Sequence, residues 1–398
     1  MIRQIEDIAI IGGGIGGLAS AILFARRGCT VTVYEQADGP GPVGAGFLLQ
    51  PPGQAVLKHL GVLDDILLDA VPIFGLESKT TSGYKILDLD YRRLGGIARH
   101  GLGVQRRTIY QALYERANAL DNVRFRWGGA VSHCASHADG VVVDTEGERG
   151  THDFCVLASG SNSGLGASLF SNRVHHQYAW GCVWSTIDLP YGFSPDLLHQ
   201  RCHRADRMMG ILPVLKYEGG YKAALYWSVK IANVEDAGDA EYAAIKQQII
   251  DFWPEAASSI EPLAKDDFIA AMYRDVWTPR PFRERLIMIG DACHATSPQL
   301  GQGCTMALLD AYCLAQCFDS NDSIEIALNR WWRLRKRQLR YVRQLSRFLT
   351  PLYQSDHALF GAFRNTIVAP FGKLPGFYRL QLKTLASEVF LEAPDRTR

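Results

Sequence analysis

Residues 7–35 read Asp7-Ile8-Ala9-Ile10-Ile11-Gly12-Gly13-Gly14-Ile15-Gly16-Gly17-Leu18-Ala19-Ser20-Ala21-Ile22-Leu23-Phe24-Ala25-Arg26-Arg27-Gly28-Cys29-Thr30-Val31-Thr32-Val33-Tyr34-Glu35. The apolar run 7–11 has the character of a buried parallel strand. Gly12, Gly14 and Gly17 then form G-x-G-x-x-G. Leu18 to Arg27 reads as a helix ended by Gly28. Thr30 to Tyr34 reads as a second strand, with Glu35 at its end. Each part has a physical role. Gly12 permits a tight turn, Gly14 lets backbone approach a pyrophosphate, and Gly17 lets the helix pack close to the strand. The helix N-terminus presents free N–H groups to phosphates. Glu35 is placed to accept hydrogen bonds from a ribose diol. Ile15, Gly16 and Gln36 complete the candidate contacts. A lone G-x-G-x-x-G is a weak signal, but strand, helix and acid in register make it strong. The expectation is an α/β, Rossmann-type dinucleotide domain, with the identity of the dinucleotide left open.

The remainder of the chain narrows the class. It has 398 residues, 47% of them hydrophobic, and a formal net charge of +1. No global field favours nucleic acid, and Lys and Arg do not alternate with aromatics as a stacking platform would require. Nine cysteines are scattered without C-x-x-C. An odd number without that spacing reads as reduced thiols in a cytoplasmic protein. Ile8 to Ala25 is uncharged and could be mistaken for a leader or a span, but five of the six residues 12–17 are glycine. With that run excluded, no segment qualifies as transmembrane. There is no G-x-S-x-G elbow, no His-Glu-x-x-His or His/Cys cluster for a metal, and no Walker A loop.

A second stretch separates the dinucleotides. Residues 285–311 contain an apolar strand (Leu286 to Ile289), Gly290-Asp291, a turn from Pro298 to Gly303, and an apolar-periodic helix from Cys304 to Phe318. This stretch resembles the "GD" motif of the flavoprotein aromatic hydroxylases, the family of p-hydroxybenzoate hydroxylase. The resemblance implies that Asp291 binds the ribityl chain of FAD and that Pro298 lies near the flavin ring. It also implies that Gly301, Gln302 and Gly303 cover the ring's pyrimidine end, where a helix N-terminus would stabilise negative charge on reduced flavin. Val104 to Leu113 resembles the family's Arg-x-x-Leu-x-x-x-Leu helix start. Arg106 then matches the arginine that reaches the pyrophosphate, with Arg107 as its rival. Gly44-Ala45-Gly46, followed by Pro51-Pro52, fits the mobile loop beside the flavin. Val131 and Gly160 are further cofactor contacts on the same resemblance.

One motif departs from the family. Where the family has Asp-Gly-x-x-Ser-x-x-Arg, residues 159–166 read Ser-Gly-Ser-Asn-Ser-Gly-Leu-Gly. Gly160 and Ser163 match, while Ser159 and Gly166 replace the Asp and the Arg. That motif helps hold FAD and the reduced nicotinamide cofactor, so the departure bears on whether NADPH or NADH is the transient reductant or a partner supplies reduced flavin.

The resemblance implies an FAD-dependent monooxygenase. It would hydroxylate an aromatic or quinol-like apolar small molecule with O₂ through a flavin C4a-hydroperoxide, the cofactor carrying the hard chemistry. The expected layout has three parts: an FAD domain (1–72, 98–170, 275–330), an inserted, mostly antiparallel sheet domain for substrate (73–97, 171–274), and C-terminal helices (331–398). Met208 to Val214 and Tyr221 to Val229 read as antiparallel strands, with Ile73 to Leu89 adding edges. His203, Tyr226 and Trp227 could face the substrate, and none stands out as its base. Residues 330–352 read as a basic amphipathic helix that could lie on a membrane. A monomer or homodimer fits this layout. Two kinds of alternative remain: halogenation or isoprenoid reduction on the same fold, and non-catalytic binding. The halogenase Trp-x-Trp-x-Ile-Pro is not matched by Trp180-Gly181-Cys182-Val183-Trp184, and the intact Gly290 to Gly303 stretch argues against the non-catalytic protein.

Overall fold

In the computed structural model, which describes residues 5–41, 46–95, 99–235, 237–318 and 322–392, the opening motif folds as read. Strand β1 (Asp7–Ile11) leads into helix α1 (Ile15–Ala25) and on to strand β2 (Thr30–Tyr34). Helix α1 has a buried residue at nearly every position, because it is covered by the sheet on one side and by a later helix on the other. Helix α2 (Arg106–Asn118) and strands β3 (Phe154–Leu157) and β4 (Leu286–Met288) complete the frame. The sheet order is Phe282–Arg283, β4, β3, β1, β2, Val123–Arg126. β1 pairs in parallel with β2 and β3, and β3 in parallel with β4. The carboxyl ends of β1, β3 and β4 therefore open on one edge, where α/β sheets take their ligands.

The second large sheet has seven strands and is mostly antiparallel. Its members run from Val174–Asp188 to Ile269–Trp277, with the hairpin Gly75–Thr80 and Lys85–Asp90 at one edge. Strand alternation divides its two faces. Met209, Ile211, Leu225 and Trp227 pack against the helix Asp239–Phe252. Met208, Leu212 and Tyr226 turn to the other face and line a cavity. Backbone contact joins the two halves of the molecule: a Cβ on Gly103 would lie 1.8 Å from the Pro213 carbonyl oxygen.

The C-terminal part is helical. Helix α3 (Gly303–Cys317) packs on α1, and α4 (Ile324–Tyr353) packs on α3. Two expectations change here. Pro51-Pro52 is not loop but the first turn of a helix, Pro51–Leu60, where a missing N–H is harmless. Helix α4 does not offer residues 330–352 to a membrane: Trp331, Leu339 and Val342 are buried in the protein. Nor is its basic side wholly solvated, since Arg343 is paired with Asp275 at 2.9 and 3.0 Å.

Candidate active site

The glycines of the first motif separate by role. Gly12 has φ +105°, and a Cβ there would lie 2.6 Å from the Ala158 carbonyl oxygen. A Cβ on Gly17 would lie 1.9 Å from the Gly12 carbonyl oxygen, so α1 touches its own turn. A Cβ on Gly14 would meet nothing within 4 Å, leaving that side of the turn open. Gly16 faces Ala307 of α3, and Ile15 is buried. Glu35 stands at the mouth of the turn, accepting from the Gly13 N–H at 2.7 Å and the Ala37 N–H at 3.0 Å. Gln36 beside it is exposed. Val131 begins a neighbouring strand and packs against the cluster that contains Tyr34.

The second motif is built on a buried charge cluster that sequence reading missed. Two residues past the end of β4, Gly290 adopts φ +59°, and Asp291 opens a short helix with its side chain exposed. The Gly290 N–H donates to Asp310 Oδ2 at 3.0 Å. Asp310 has no solvent exposure and also binds His294 Nε2 at 2.5 Å and Arg335 Nε at 2.8 Å. Burial works to raise this carboxyl, but His294 and Arg335 beside it hold it below the usual range. The available signal was an aspartate and an arginine each within the apolar side of a helix. Such charges are rarely buried unless paired.

The loop from 297 to 302 is tied to the C-terminal helices. Ser297 Oγ shares a hydrogen bond with Thr350 Oγ1 at 2.6 Å, Gln299 Nε2 donates to Gln354 Oε1 at 2.8 Å, and Gln302 Nε2 donates to the Thr384 carbonyl. The Gln302 side chain thus anchors the loop, with its Oε1 buried and unpartnered. Gly301 adopts φ +61° with open space beside it, and the Asp291 carboxylate lies 3.7 Å from the Cβ position of Gly303. Arg106 is the first residue of α2 and is exposed, as is Arg107. Arg106 and Asp291 both act on the Cys304 thiol at the start of α3, the first lowering it and the second raising it, while burial raises it most. Gly46 pairs with Gln105, and a Cβ there would lie 2.5 Å from Val214 Cγ1, so close packing requires its glycine. Ala45, like Gly44, lies outside the described residues.

At the departing motif, Ser159 Oγ is buried and unpartnered, and Gly160 has φ +77° facing open space. Gly166 has a neighbour that the sequence did not suggest. The Arg173 guanidinium lies 3.6 Å (Nε) from the Cβ position of Gly166. It donates to the Ser161 carbonyl at 2.8 Å and to the Ala292 carbonyl at 3.2 Å. An arginine supplied from seven residues downstream therefore ties the 159–166 loop to the Gly290-Asp291 loop.

These features converge on the open edge of the parallel sheet. Two carboxylates, one arginine, three open glycine faces and two orphaned buried oxygens suit a ligand with a ribose, a pyrophosphate, a polyol and a flat ring. Beyond Pro298 lies a cavity of about 310 Å³. Its walls are Pro298 to Gly301, the inner sheet face, α4, and the last helices of the chain. Among the described residues, the lining contains no Asp, Glu, Lys, Arg or His. Its polar groups are phenols, amides and one hydroxyl, with Gln200 Nε2 donating to the Tyr226 hydroxyl at 3.0 Å. Burial pushes the Tyr226, Tyr273 and Tyr353 phenols above their ordinary range. Of the three residues expected to face the substrate pocket, only Tyr226 lines this cavity. Trp227 points to the opposite sheet face and packs on Phe252, with ring centroids 4.9 Å apart. His203 is spent on Asp206 and Arg207.

Residues 6–319 match the family profile described as FAD binding domain. The chain is 26% identical over 355 residues to a Bacillus subtilis protein, YetM, assigned as an FAD-dependent monooxygenase, covering 86% of this chain and 92% of that one. It is also 26% identical to the 2-heptyl-3-hydroxy-4(1H)-quinolone synthase of Pseudomonas aeruginosa, over 91% of this chain and 93% of the relative. Among solved structures, Klebsiella pneumoniae HpxO complexed with FAD and uric acid superposes with a TM-score of 0.80 at 21% identity, covering 96% and 97% of the two chains.

Proposed function

The chain belongs to the FAD-binding-domain family, and on that premise we propose that it hydroxylates an uncharged, apolar aromatic or quinol-like molecule, using O₂ and either NADPH or NADH. The observation that carries this substrate class is the cavity beside Pro298, whose lining among the described residues has no ionisable group other than phenols. A carboxylate or other anion placed there would lose its hydration with no cation to replace it, at a cost of several kcal/mol. A neutral ring with an alkyl substituent loses little. The quinolone synthase relative is named for a product with a heptyl chain, which is the kind of molecule such a lining accepts.

FAD is the cofactor, and in this reading Glu35 holds its adenosine ribose, Arg106 and the α1 N-terminus its pyrophosphate, and Asp291 its ribityl chain. The start of α3 would lie against the pyrimidine end of the ring. When bound and reduced, the flavin activates O₂ and supplies the oxygen-transfer chemistry. The protein's own residues do three things. The apolar lining excludes water. Pro298 to Gly301 and the sheet face hold the substrate ring in position. Gln200, Tyr226 and Tyr273 offer hydrogen bonds that orient it. Among the described residues no side chain facing the cavity is a general base near neutral pH, so the substrate must be electron-rich without one. Arg173 stands in for the family's arginine at position 166, which supports direct reduction by a nicotinamide cofactor.

The test is a substrate-stimulated NADPH and NADH oxidation screen on the flavin-loaded protein. Neutral phenols, quinols and N-heteroaromatics, with and without alkyl chains, are compared with their carboxylated analogues. Stimulation by neutral alkylated rings is expected. Preference for the carboxylates would overturn the substrate class.

A further inference from the structure

Beyond the active site, one surface has no partner among the described residues. Residues 358–372 form a continuous helical run: Ala358–Phe363, a π turn at Arg364–Val368, and Ala369–Gly372. Its inner side is made of small residues and one arginine. Gly361 lies on the Arg204 backbone, where a Cβ would be 2.5 Å from the carbonyl carbon. Arg364 is buried and donates to the Leu352 carbonyl at 2.9 Å. The outer side carries Leu359, Phe363, Ile367 and Phe371, all exposed, with Leu359 at 81% and Phe371 at 52%. In a regular α-helix, residues spaced by four drift about 40° per step. The wide π turn offsets that drift and keeps the four side chains in one stripe. The next helix, α5 (Pro375–Leu385), extends the stripe: exposed Phe377 meets Phe371 edge to face, with centroids 5.9 Å apart.

Charge identifies what this surface meets. Between residues 357 and 387 the chain has four Lys or Arg and no Asp or Glu. Of the four, Lys373, Arg379 and Lys383 are exposed. A second copy joined by a two-fold axis would set these cations against themselves. An anionic bilayer surface matches both the cations and the apolar stripe. Among the described residues no helix is long and apolar enough to cross a membrane, so the contact would be peripheral. The helix that carries Phe377 also reaches the cavity: its Leu380 lines the cavity and is itself exposed, as is Phe348 of α4.

We propose that residues 358–380 are a docking surface for anionic lipid bilayers, with Leu359, Phe363, Ile367, Phe371 and Phe377 entering the headgroup region. Delivery of an apolar substrate from the bilayer to the cavity rests on the substrate class proposed above; docking does not.

The experiment is flotation of the full flavin-loaded chain with vesicles of phosphatidylcholine, alone or mixed with phosphatidylglycerol, without substrate. Binding to the mixed vesicles, weakened by salt, is expected, with little binding to phosphatidylcholine alone. The double variant Phe363→Glu, Phe371→Glu should lose roughly tenfold or more of the bound fraction while keeping its flavin and its elution volume. Lys373→Glu with Arg379→Glu should bind less, and Arg333→Glu with Arg340→Glu, on α4, should bind as before. Hydrogen exchange on the unaltered chain should show 358–380 protected by the mixed vesicles, a readout that needs no variant. Failure of the unaltered chain to float, flotation of the Phe variant as well as the parent, or protection confined to α4 would overturn the proposal. So would self-association through these phenylalanines without vesicle binding. Because no turnover is measured, none of these results depends on the substrate.

Discussion

The glycine turn at 12–17 and the cavity beyond Pro298 are the two ends of the proposed site, and sequence describes them very unequally. At the turn, function is written into backbone. Gly12 and Gly17 have no room for a methyl group, Gly14 has room to spare, and Glu35, just past the end of β2, accepts from the Gly13 N–H. At the cavity, function is written into side chains from distant strands and helices, each of which reads as ordinary core. What tells Tyr226 from Trp227 is strand register, and a shift of one residue would exchange them. The contrast can be tested by substitutions that produce similar collisions, or similar lost charges, in the two halves.

The largest effect is expected beneath the nucleotide half. Asp310→Ala removes the partner of Arg335 and leaves a buried guanidinium uncompensated, at a cost of about 3–5 kcal/mol. Denaturant unfolding should show this, with loss of bound flavin as the Gly290 N–H loses its acceptor. The pH dependence follows the same group. The Asp310 carboxyl is held below its unfolded value, so its contribution is present above about pH 4 and is lost as pH falls through the lower folded value. Asp310→Asn should flatten that acid limb. A parent and variant with parallel acid limbs would show that the cluster does not couple to stability.

Next come two glycines five residues or fewer apart in one motif. Gly17→Ala places a methyl 1.9 Å from a carbonyl oxygen, and a loss of about 3 kcal/mol is expected, at the upper end for overpacking because backbone must move. Gly14→Ala meets nothing in the protein. It should melt within about 0.5 kcal/mol of the parent yet bind FAD more weakly, measured by flavin fluorescence titration. If Gly14→Ala unfolds and Gly17→Ala does not, the roles assigned to the turn are reversed.

The cavity counterpart is Gly210→Ala. The Cβ would lie 1.9 Å from the Tyr226 ring on the paired strand, the same nominal collision as at Gly17, but against a side chain that can swing into the cavity. The flavin should stay bound, while KM for the apolar substrate rises roughly tenfold. Equal loss of flavin in Gly17→Ala and Gly210→Ala would mean that the two halves fail together rather than separately.

The same contrast explains which parts were legible in the sequence. The parallel strands, α1, Glu35 and the Gly290-Asp291 turn follow from local rules of spacing and conformation, and they appear where those rules put them. Asp310 and Arg335 were not found, because their meaning lies in each other and they are 25 residues apart in a bond between two helices. The stripe at 359, 363, 367 and 371 was missed for a related reason. Its spacing of four fits an ordinary buried helix face, and only the π turn and the small inner residues turn it outward. Residues 330–352 failed in the opposite direction: their amphipathic pattern is real, but its apolar side is covered by the protein's own core.

The smallest expected effect concerns Arg173, where the two halves of the site meet. On the motif resemblance Gly166 stands where the family has an arginine, and the structure brings the Arg173 guanidinium beside Gly166 from another position. Arg173 is half-buried, and its two hydrogen bonds go to backbone carbonyls on separate loops. Burial lowers its pKa from the ordinary arginine value. Arg173→Ala should therefore loosen the 159–166 loop against the Gly290-Asp291 loop by about 1 kcal/mol, without unfolding the protein or releasing flavin. If the guanidinium also serves the incoming nicotinamide, anaerobic mixing with NADPH or NADH should show flavin bleaching slowed several-fold, while reaction of chemically reduced protein with O₂ is unchanged. Restoring an arginine in the double variant Gly166→Arg, Arg173→Ala should recover the bleaching rate. Bleaching at the parental rate in Arg173→Ala would reduce Arg173 to a structural strut, whereas a parent that neither nucleotide bleaches would point to a separate reductant for this flavin.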